Sequence, residues 1–302
     1  MIARILSAAG LWFGAGSSVA LAEINGPKPW QMGFQDAATK VMEEISWFND
    51  FTLVIVTLIA LFVLGLIAAC IIKFRASANP EPNRVTHNTL LEVAWTVIPI
   101  FILVIIAVPS FKLLYAQYDP SKIYEDFDPK TEKFLTVKVI GNQWNWDYEY
   151  APGGDNEEFG VASEISFTSI MLAEDELGPD DQRLLAVDSE MVVPVNTFVR
   201  VLVTASDVLH AFAVPAFGVK MDGVPGRLNE TYFKAEREGV FFGQCSELCG
   251  KDHAFMPIGV RVVSAEQFAK WAAAAADDVD AANELLARLI DDEKAKKLAS
   301  AQ

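Results

Sequence analysis

The sequence predicts a two-helix membrane hairpin, then an all-β sandwich or small barrel, then a helical tail. Three observations carry this. Two apolar runs, Phe51 to Ile72 and Val93 to Phe111, hold 22 and 19 residues without a charge, and about 20 such residues cross ~30 Å of hydrocarbon. Leu135, Val137 and Val139 then alternate, as do Val199, Val201 and Val203, and later Ile258, Val260 and Val262. That period of two marks half-buried strands. After Ser264 the chain turns Ala-rich and charged, with no Gly or Pro between Ala272 and Lys297.

Charge and hydrophobicity are segregated along the chain. Its 302 residues are 52% hydrophobic yet include 40 acids against 24 bases, a net charge of −16. Such an excess of acid excludes nucleic acid as a partner, because phosphate binding needs surplus Lys and Arg. It suits a basic partner instead. The aromatic content of 11% excludes disorder as a general description.

Each element follows in order. Residues 1–22 carry one charge, Arg4, before a run ending Ala20-Leu21-Ala22. This is the plan of a signal peptide cleaved before Glu23, with an uncleaved helix as the alternative. Residues 23–117 make an N-terminal segment and the hairpin, with spans at about 51–72 and 93–113. Neither run has a polar face, and Pro99 and Pro109 are tolerable where neighbours satisfy the freed carbonyls. The connecting loop carries Lys73, Arg75 and Arg84 against Glu81 and Glu92, so it belongs on the cytoplasmic side. Both termini and everything after Lys112 then lie across the membrane. Residues 118–268 form the β domain, punctuated at Pro152-Gly153-Gly154, Gly178-Pro179 and Pro225-Gly226. Residues 269–302 read as a helical, partly solvated tail with no chemistry of its own.

The chemistry gathers in Cys245-Ser246-Glu247-Leu248-Cys249-Gly250-Lys251-Asp252-His253-Ala254-Phe255-Met256. Two thiols, an imidazole and a thioether fall within twelve residues, and His210 lies 35 residues upstream. Thiolate, thioether and imidazole together select copper. Two His, one Cys and a weak Met would make a mononuclear site; a second Cys lets two thiolates bridge two ions. A disulfide is the plainer reading of two Cys in an exported domain. Zinc is weaker, since Met is a poor zinc ligand. The chain has only three His and three Cys, and two of each fall in this constellation.

The motif resembles the dinuclear copper A signature of the cytochrome c oxidase subunit II family. Further resemblance lies in Met32-Gly33-Phe34-Gln35-Asp36-Ala37, in Glu92-Val93-Ala94-Trp95-Thr96 with Pro99, in Gln143-Trp144-Asn145-Trp146, and in Val224-Pro225-Gly226-Arg227-Leu228-Asn229. It implies a cupredoxin-like sandwich on a two-helix anchor. Cys245 and Cys249 would bridge both coppers, His210 and His253 would each bind one, Met256 would be a weak axial ligand, and the Glu247 carbonyl would bind the other copper. The Glu247 carboxylate would help hold a Mg²⁺ shared with subunit I. Trp144 would be the port through which electrons arrive, and Trp146 a core residue. Glu92 would stand at the mouth of a proton pathway; on its own it reads as a helix-start acid.

Between Asp147 and Glu190 stand thirteen acids and one base, Arg183. A charge run is usually a solvated face, but the family docks basic cytochrome c through such carboxylates. Glu149, Asp188 and Asp207 are the best matches. The resemblance implies an electron relay of an aa3-type oxidase, partnered by subunit I, other oxidase subunits and membrane lipid. It would sit in a bacterial inner membrane or, alternatively, a mitochondrial one. Asn142 and Asn145 depart from the family's usual His and Tyr, which puts the packing behind Trp144 in question. Cys70 reads as lipid- or helix-facing packing in the first span. Competing readings are a quinol oxidase subunit, which lacks the copper ligands, a membrane-anchored copper chaperone, which needs exposed Met or His clusters, and a disulfide-bonded structural protein.

Overall fold

The computed structural model describes residues 23–81, 83–125, 127–179 and 181–300. The expected signal peptide at 1–22 lies outside the described residues. In chain order the elements are β1 (Glu23–Asn25), α1 (Lys40–Lys73), α2 (Thr89–Ala116), β2 (Phe134–Asn142), β3 (Asn145–Tyr150), β4 (Ile165–Ser169), β5 (Met191–Pro194) and β6 (Phe198–Ala205). Then follow β7 (His210–Val214), β8 (Val219–Gly223), β9 (Asn229–Lys234), β10 (Gly239–Gln244), β11 (Pro257–Val263), α3 (Ala265–Ala275) and α4 (Val279–Ser300).

Both apolar runs lie inside longer helices. The helices have 34 and 28 residues, about 51 and 42 Å at ~1.5 Å per residue. Thr39 caps α1 by accepting the Met42 N–H at 3.1 Å, and Asn88 caps α2 by accepting from Leu90 and Leu91 at 3.1 and 3.2 Å. The expected start of the first span, residue 51, is eleven residues inside α1. Those extra turns carry Lys40, Glu43, Glu44 and Asp50, which a search for uncharged runs excludes.

The extension fastens the hairpin to the β domain. Ala38, Val41 and Met42 are buried there. The Ala38 N–H donates to the Ala216 carbonyl at 2.8 Å, Thr39 Oγ1 donates to the Phe217 carbonyl at 2.8 Å, and the Glu236 N–H donates to the Ala38 carbonyl at 2.9 Å. At the other helix, the Tyr232 hydroxyl donates to the carbonyl of Ala116.

The β domain is a sandwich. One sheet has the order β4-β3-β2-β6-β9, the other β1-β10-β11-β5, and β7 pairs with β8 as a separate ribbon. In β2 and β6 the expected alternation is present, with Leu135, Val137, Val139, Val199, Val201 and Val203 fully buried. In β11 nearly every residue is buried, because one of its faces meets the opposite sheet while α3 packs nearby.

The tail is helical, and its first helix packs on the sandwich. The boundary expected at 268/269 falls inside α3, and Phe268, Trp271, Ala272 and Ala275 are core residues. Trp271 stacks edge-on with Tyr150 at 5.5 Å, and its Nε1–H donates to Asn283 Oδ1 at 3.0 Å. Ala282 and Leu286 of α4 are also buried. Only the rest of α4 matches a solvated tail.

Candidate metal centre

The twelve-residue stretch from Cys245 to Met256 joins the ends of β10 and β11, which are paired antiparallel through Gln244 and Pro257. Its two ends are therefore fixed side by side. Three hydrogen bonds dock it at its start, middle and end. The Ser246 N–H donates to the Ala211 carbonyl at 3.0 Å, which ties the start to β7 beside His210. Gln143 Nε2 donates to the Cys249 carbonyl at 2.6 Å, from the β2–β3 turn. Trp146 Nε1 donates to the Met256 carbonyl at 3.2 Å, from β3.

These anchors bring the expected donors together. Cys245 Sγ and Cys249 Sγ are 3.9 Å apart and unbonded; a disulfide holds its sulfurs at roughly 2.05 Å. Cys245 Sγ lies 3.8 Å from His210 Nδ1 and 3.3 Å from the Glu247 carbonyl oxygen. Cys249 Sγ lies 3.5 Å from His253 Nδ1 and 3.5 Å from Met256 Sδ. Each thiol thus faces one imidazole nitrogen and one weak neutral donor. The ligand atoms of His210, Cys245 and Cys249 all fall within 4.8 Å of one another.

Burial and electrostatics fit a metal. Cys245, Cys249, Met256 and His210 are buried. Burial opposes ionisation of both thiols. At Cys245, hydrogen bonds from His210 and the loop backbone outweigh it and lower the pKa. At Cys249 burial is reinforced by the neighbouring Cys245 charge, and the pKa rises. Two thiolates at this separation need a cation between them, so the donor set suits copper bridged by sulfur.

His210 is held by groups that a search for donors overlooks. Its Nε2 lies 2.9 Å from Asp207 Oδ1, so Nε2–H donates to the carboxylate and Nδ1 is left to face the sulfur. The other Asp207 oxygen accepts the Gln143 N–H at 2.8 Å. Burial would raise the Asp207 pKa, but the hydrogen bonds from His210, Val208 and Gln143 outweigh it and lower it. Gly141 makes room for the ring, since a Cβ there would stand 2.8 Å from His210 Cγ. The Asp-x-x-His spacing is the signal that could have assigned Asp207 this positioning role beside the expected docking one.

The other expected residues are placed apart. Glu149 is on β3 and pairs with Lys138 at 2.8 Å, which neutralises it. Asp188 caps the Ile170 N–H at 2.8 Å while remaining exposed. The Glu247 side chain is half-buried on the loop. Trp144 is half-buried at the β2–β3 turn, and Trp146 is fully buried. Asn142 and Asn145 face each other at the turn, bonded at 2.9 Å, with Asn142 also donating to Asp147 at 2.8 Å. Glu92 is on the first turn of α2, about 36 Å along that helix from Ala116. Cys70 is exposed on α1.

The profile described as "Cytochrome C oxidase subunit II, periplasmic domain" matches residues 135–263, and its companion "transmembrane domain" matches residues 27–113. A "Probable cytochrome c oxidase subunit 2" from Rickettsia bellii is 51% identical over 248 residues, 82% of this chain and 85% of that protein. The chain belongs to the cytochrome c oxidase subunit II family. It is a subunit of an oxidoreductase complex that spans a membrane. The cytochrome c oxidase subunit 2 of Metridium senile is 46% identical over 83% of this chain and 93% of its own length. The crystal structure of the periplasmic domain of subunit II from Bradyrhizobium japonicum is 56% identical, covering 48% of this chain and 94% of that one, with a TM-score of 0.41.

Removing the His210 orienter should weaken the centre without dismantling it. Asp207→Asn is expected to lower copper affinity by about 10–100-fold, the usual cost of losing a partner behind a metal-bound imidazole. Competitive chelator titration checks this; unchanged affinity would show that the Asp207–His210 contact does not orient the ligand.

Proposed function

We propose that this chain is the electron relay of an aa3-type cytochrome c oxidase. It takes electrons from cytochrome c at a dinuclear copper A centre and passes them to haem a of subunit I, where oxygen is reduced with proton pumping. The observation that carries this reading is the donor ring: two unbonded buried thiols 3.9 Å apart, each within 3.8 Å of an imidazole nitrogen and 3.5 Å of a weak neutral donor.

When bound, the paired coppers share one oxidising equivalent, which suits rapid electron exchange. The chain supplies the rest. Cys245, Cys249, His210, His253, Met256 and the Glu247 carbonyl would hold the coppers, with the two thiolates shared between the ions and one imidazole for each. Burial keeps water out and leaves no position for a substrate, so the domain relays rather than reacts. The Glu247 carboxylate helps hold Mg²⁺ at the contact with subunit I.

Electrons arrive at Trp144, on the exposed β2–β3 turn. Asp188, Asp207 and Glu149 belong to the acidic surface that receives the basic donor, with Glu149 the weakest contributor because Lys138 offsets it. Glu92 stands at the mouth of a proton pathway into subunit I. The hairpin sits in a bacterial inner membrane with the copper domain and both termini periplasmic; a mitochondrial inner membrane is the alternative.

Electron paramagnetic resonance of the copper-loaded oxidase tests the central assignment. Hyperfine splitting from two equivalent copper nuclei is expected. Cys245→Ser or Cys249→Ser should abolish it, whereas Met256→Leu should keep it and shift the reduction potential. A single-copper pattern, or a Cys variant that keeps both ions, contradicts the bridging roles.

Docking and electron arrival should separate. Steering by charge raises association by roughly 10–10³-fold and fades as the Debye length shrinks, ~8 Å in physiological salt. Neutralising Glu149 and Asp188 together, with Asp207 left intact because it also holds His210, should raise KM and flatten its salt dependence. Trp144→Phe should leave both intact and slow reduction of the copper site in stopped flow. If Trp144→Phe alters only the apparent affinity, the port lies elsewhere.

Glu92→Gln should slow steady-state turnover while copper content and cytochrome c affinity stay at wild-type values. Unchanged turnover in the purified oxidase would return Glu92 to a helix-start role.

A further inference from the structure

We propose that Gly250 and Gln143 are positioning residues that press the Trp144 indole against the backbone beside Cys249, so that the ring meets the metal loop by direct contact. The inference rests on Trp144 being the electron port.

A hairpin tip is ordinarily a mobile surface feature, and Trp144 occupies one: Asn142 and Asn145 pair at the ends of β2 and β3, leaving only Gln143 and Trp144 between them. Here the tip is tied down on two sides. The Gln143 side chain donates to the Cys249 carbonyl at 2.6 Å, and its backbone N–H donates to Asp207 at 2.8 Å. Asp207 in turn holds His210. One residue thus links the turn to the loop of one ligand and to the orienter of another.

Gly250 supplies the contact. A Cβ at this position would lie 2.9 Å from Trp144 Cζ2, 3.2 Å from Trp144 Nε1 and 3.1 Å from Gln143 Nε2. The indole edge and the Gln143 amide fill the space that a side chain would occupy. Its φ of +138° is in addition one that side chains rarely adopt. Gly250 directly follows Cys249, so the ring touches the loop one residue from a thiol of the donor ring. Lys251 Nζ stands 5.5 Å from the ring centroid, within cation–π range.

The ring also pays no regard to its own polar atom. Trp144 Nε1 is buried without a hydrogen-bond partner among the described residues, whereas buried indoles usually find one. Packing against Gly250, not hydrogen bonding, sets where this indole lies. In the transfer step no bond forms or breaks: the donor haem protein loses one electron, the thiolate-ligated site gains it, and the indole is unchanged.

The test uses the purified oxidase with Gln143→Leu, Gly250→Ala and Trp144→Phe. Hydroxyl-radical footprinting reads the exposure of Trp144, and stopped flow reads the limiting rate of copper reduction by cytochrome c. Gln143→Leu should keep the copper hyperfine pattern and the salt dependence of KM, raise oxidation of Trp144, and slow the limiting rate several-fold, to a value between those of the wild type and Trp144→Phe. Gly250→Ala should do the same; if it fails to assemble copper, Gln143→Leu decides alone. Wild-type footprint and rate in Gln143→Leu, with a slow Trp144→Phe, overturn the positioning roles and leave the port standing. A wild-type limiting rate in Trp144→Phe overturns the port, and the positioning roles with it.

Discussion

The close, unbonded approach of two buried thiols is the constraint on which the β domain depends. Cys245 and Cys249 are 3.9 Å apart with little water to solvate a charge on either. Ionising the first makes the second harder to ionise. Such a pair persists as a defined site only where the backbone on both sides is fixed and a cation balances the thiolates. The β10–β11 pairing fixes the two ends of the loop, and hydrogen bonds to Ala211, from Gln143 and from Trp146 fix it along its length. The sandwich is the rigid frame those bonds require.

The same frame connects the site to the membrane anchor. Strand β7 begins with His210 of the donor ring, and the residues shortly after its last, Ala216 and Phe217, accept hydrogen bonds from Ala38 and Thr39 at the head of α1. Five strand residues span about 17 Å. His210 at one end of β7 and the head of α1 at the other therefore stand at a set separation. The fold thereby sets the height of the donor ring above the two apolar helices.

Much of this was legible in the sequence, and the rest was hidden for physical reasons. The spans announced themselves because lipid tolerates almost no charge, and β2 and β6 because one face of each is solvated. The donor cluster was legible because four of its side chains lie within twelve residues. Three features were not. The start of α1 was hidden because it packs on the β domain through only a few residues and otherwise carries charge. The role of α3 was hidden by its alanines, although Phe268 and Trp271 at a helical spacing of three mark a buried face. Gln143 was hidden because its contact with Cys249 crosses 106 residues, and no local pattern encodes it. Asn142 and Asn145 answer the question their departure raised: the Asn142 amide donates to Asn145 and to Asp147, and so closes the turn that carries Trp144.

X-ray absorption at the copper edge of the fully loaded oxidase, compared with the Cys249→Ser form, tests the central claim most directly. Sulfur bridging by Cys245 and Cys249 predicts a metal–metal scattering vector together with sulfur and imidazole nitrogen neighbours in the intact protein, and loss of that vector in the variant. Isolated copper with no metal neighbour in the intact protein, beside a disulfide between Cys245 and Cys249 by mass spectrometry, would contradict it.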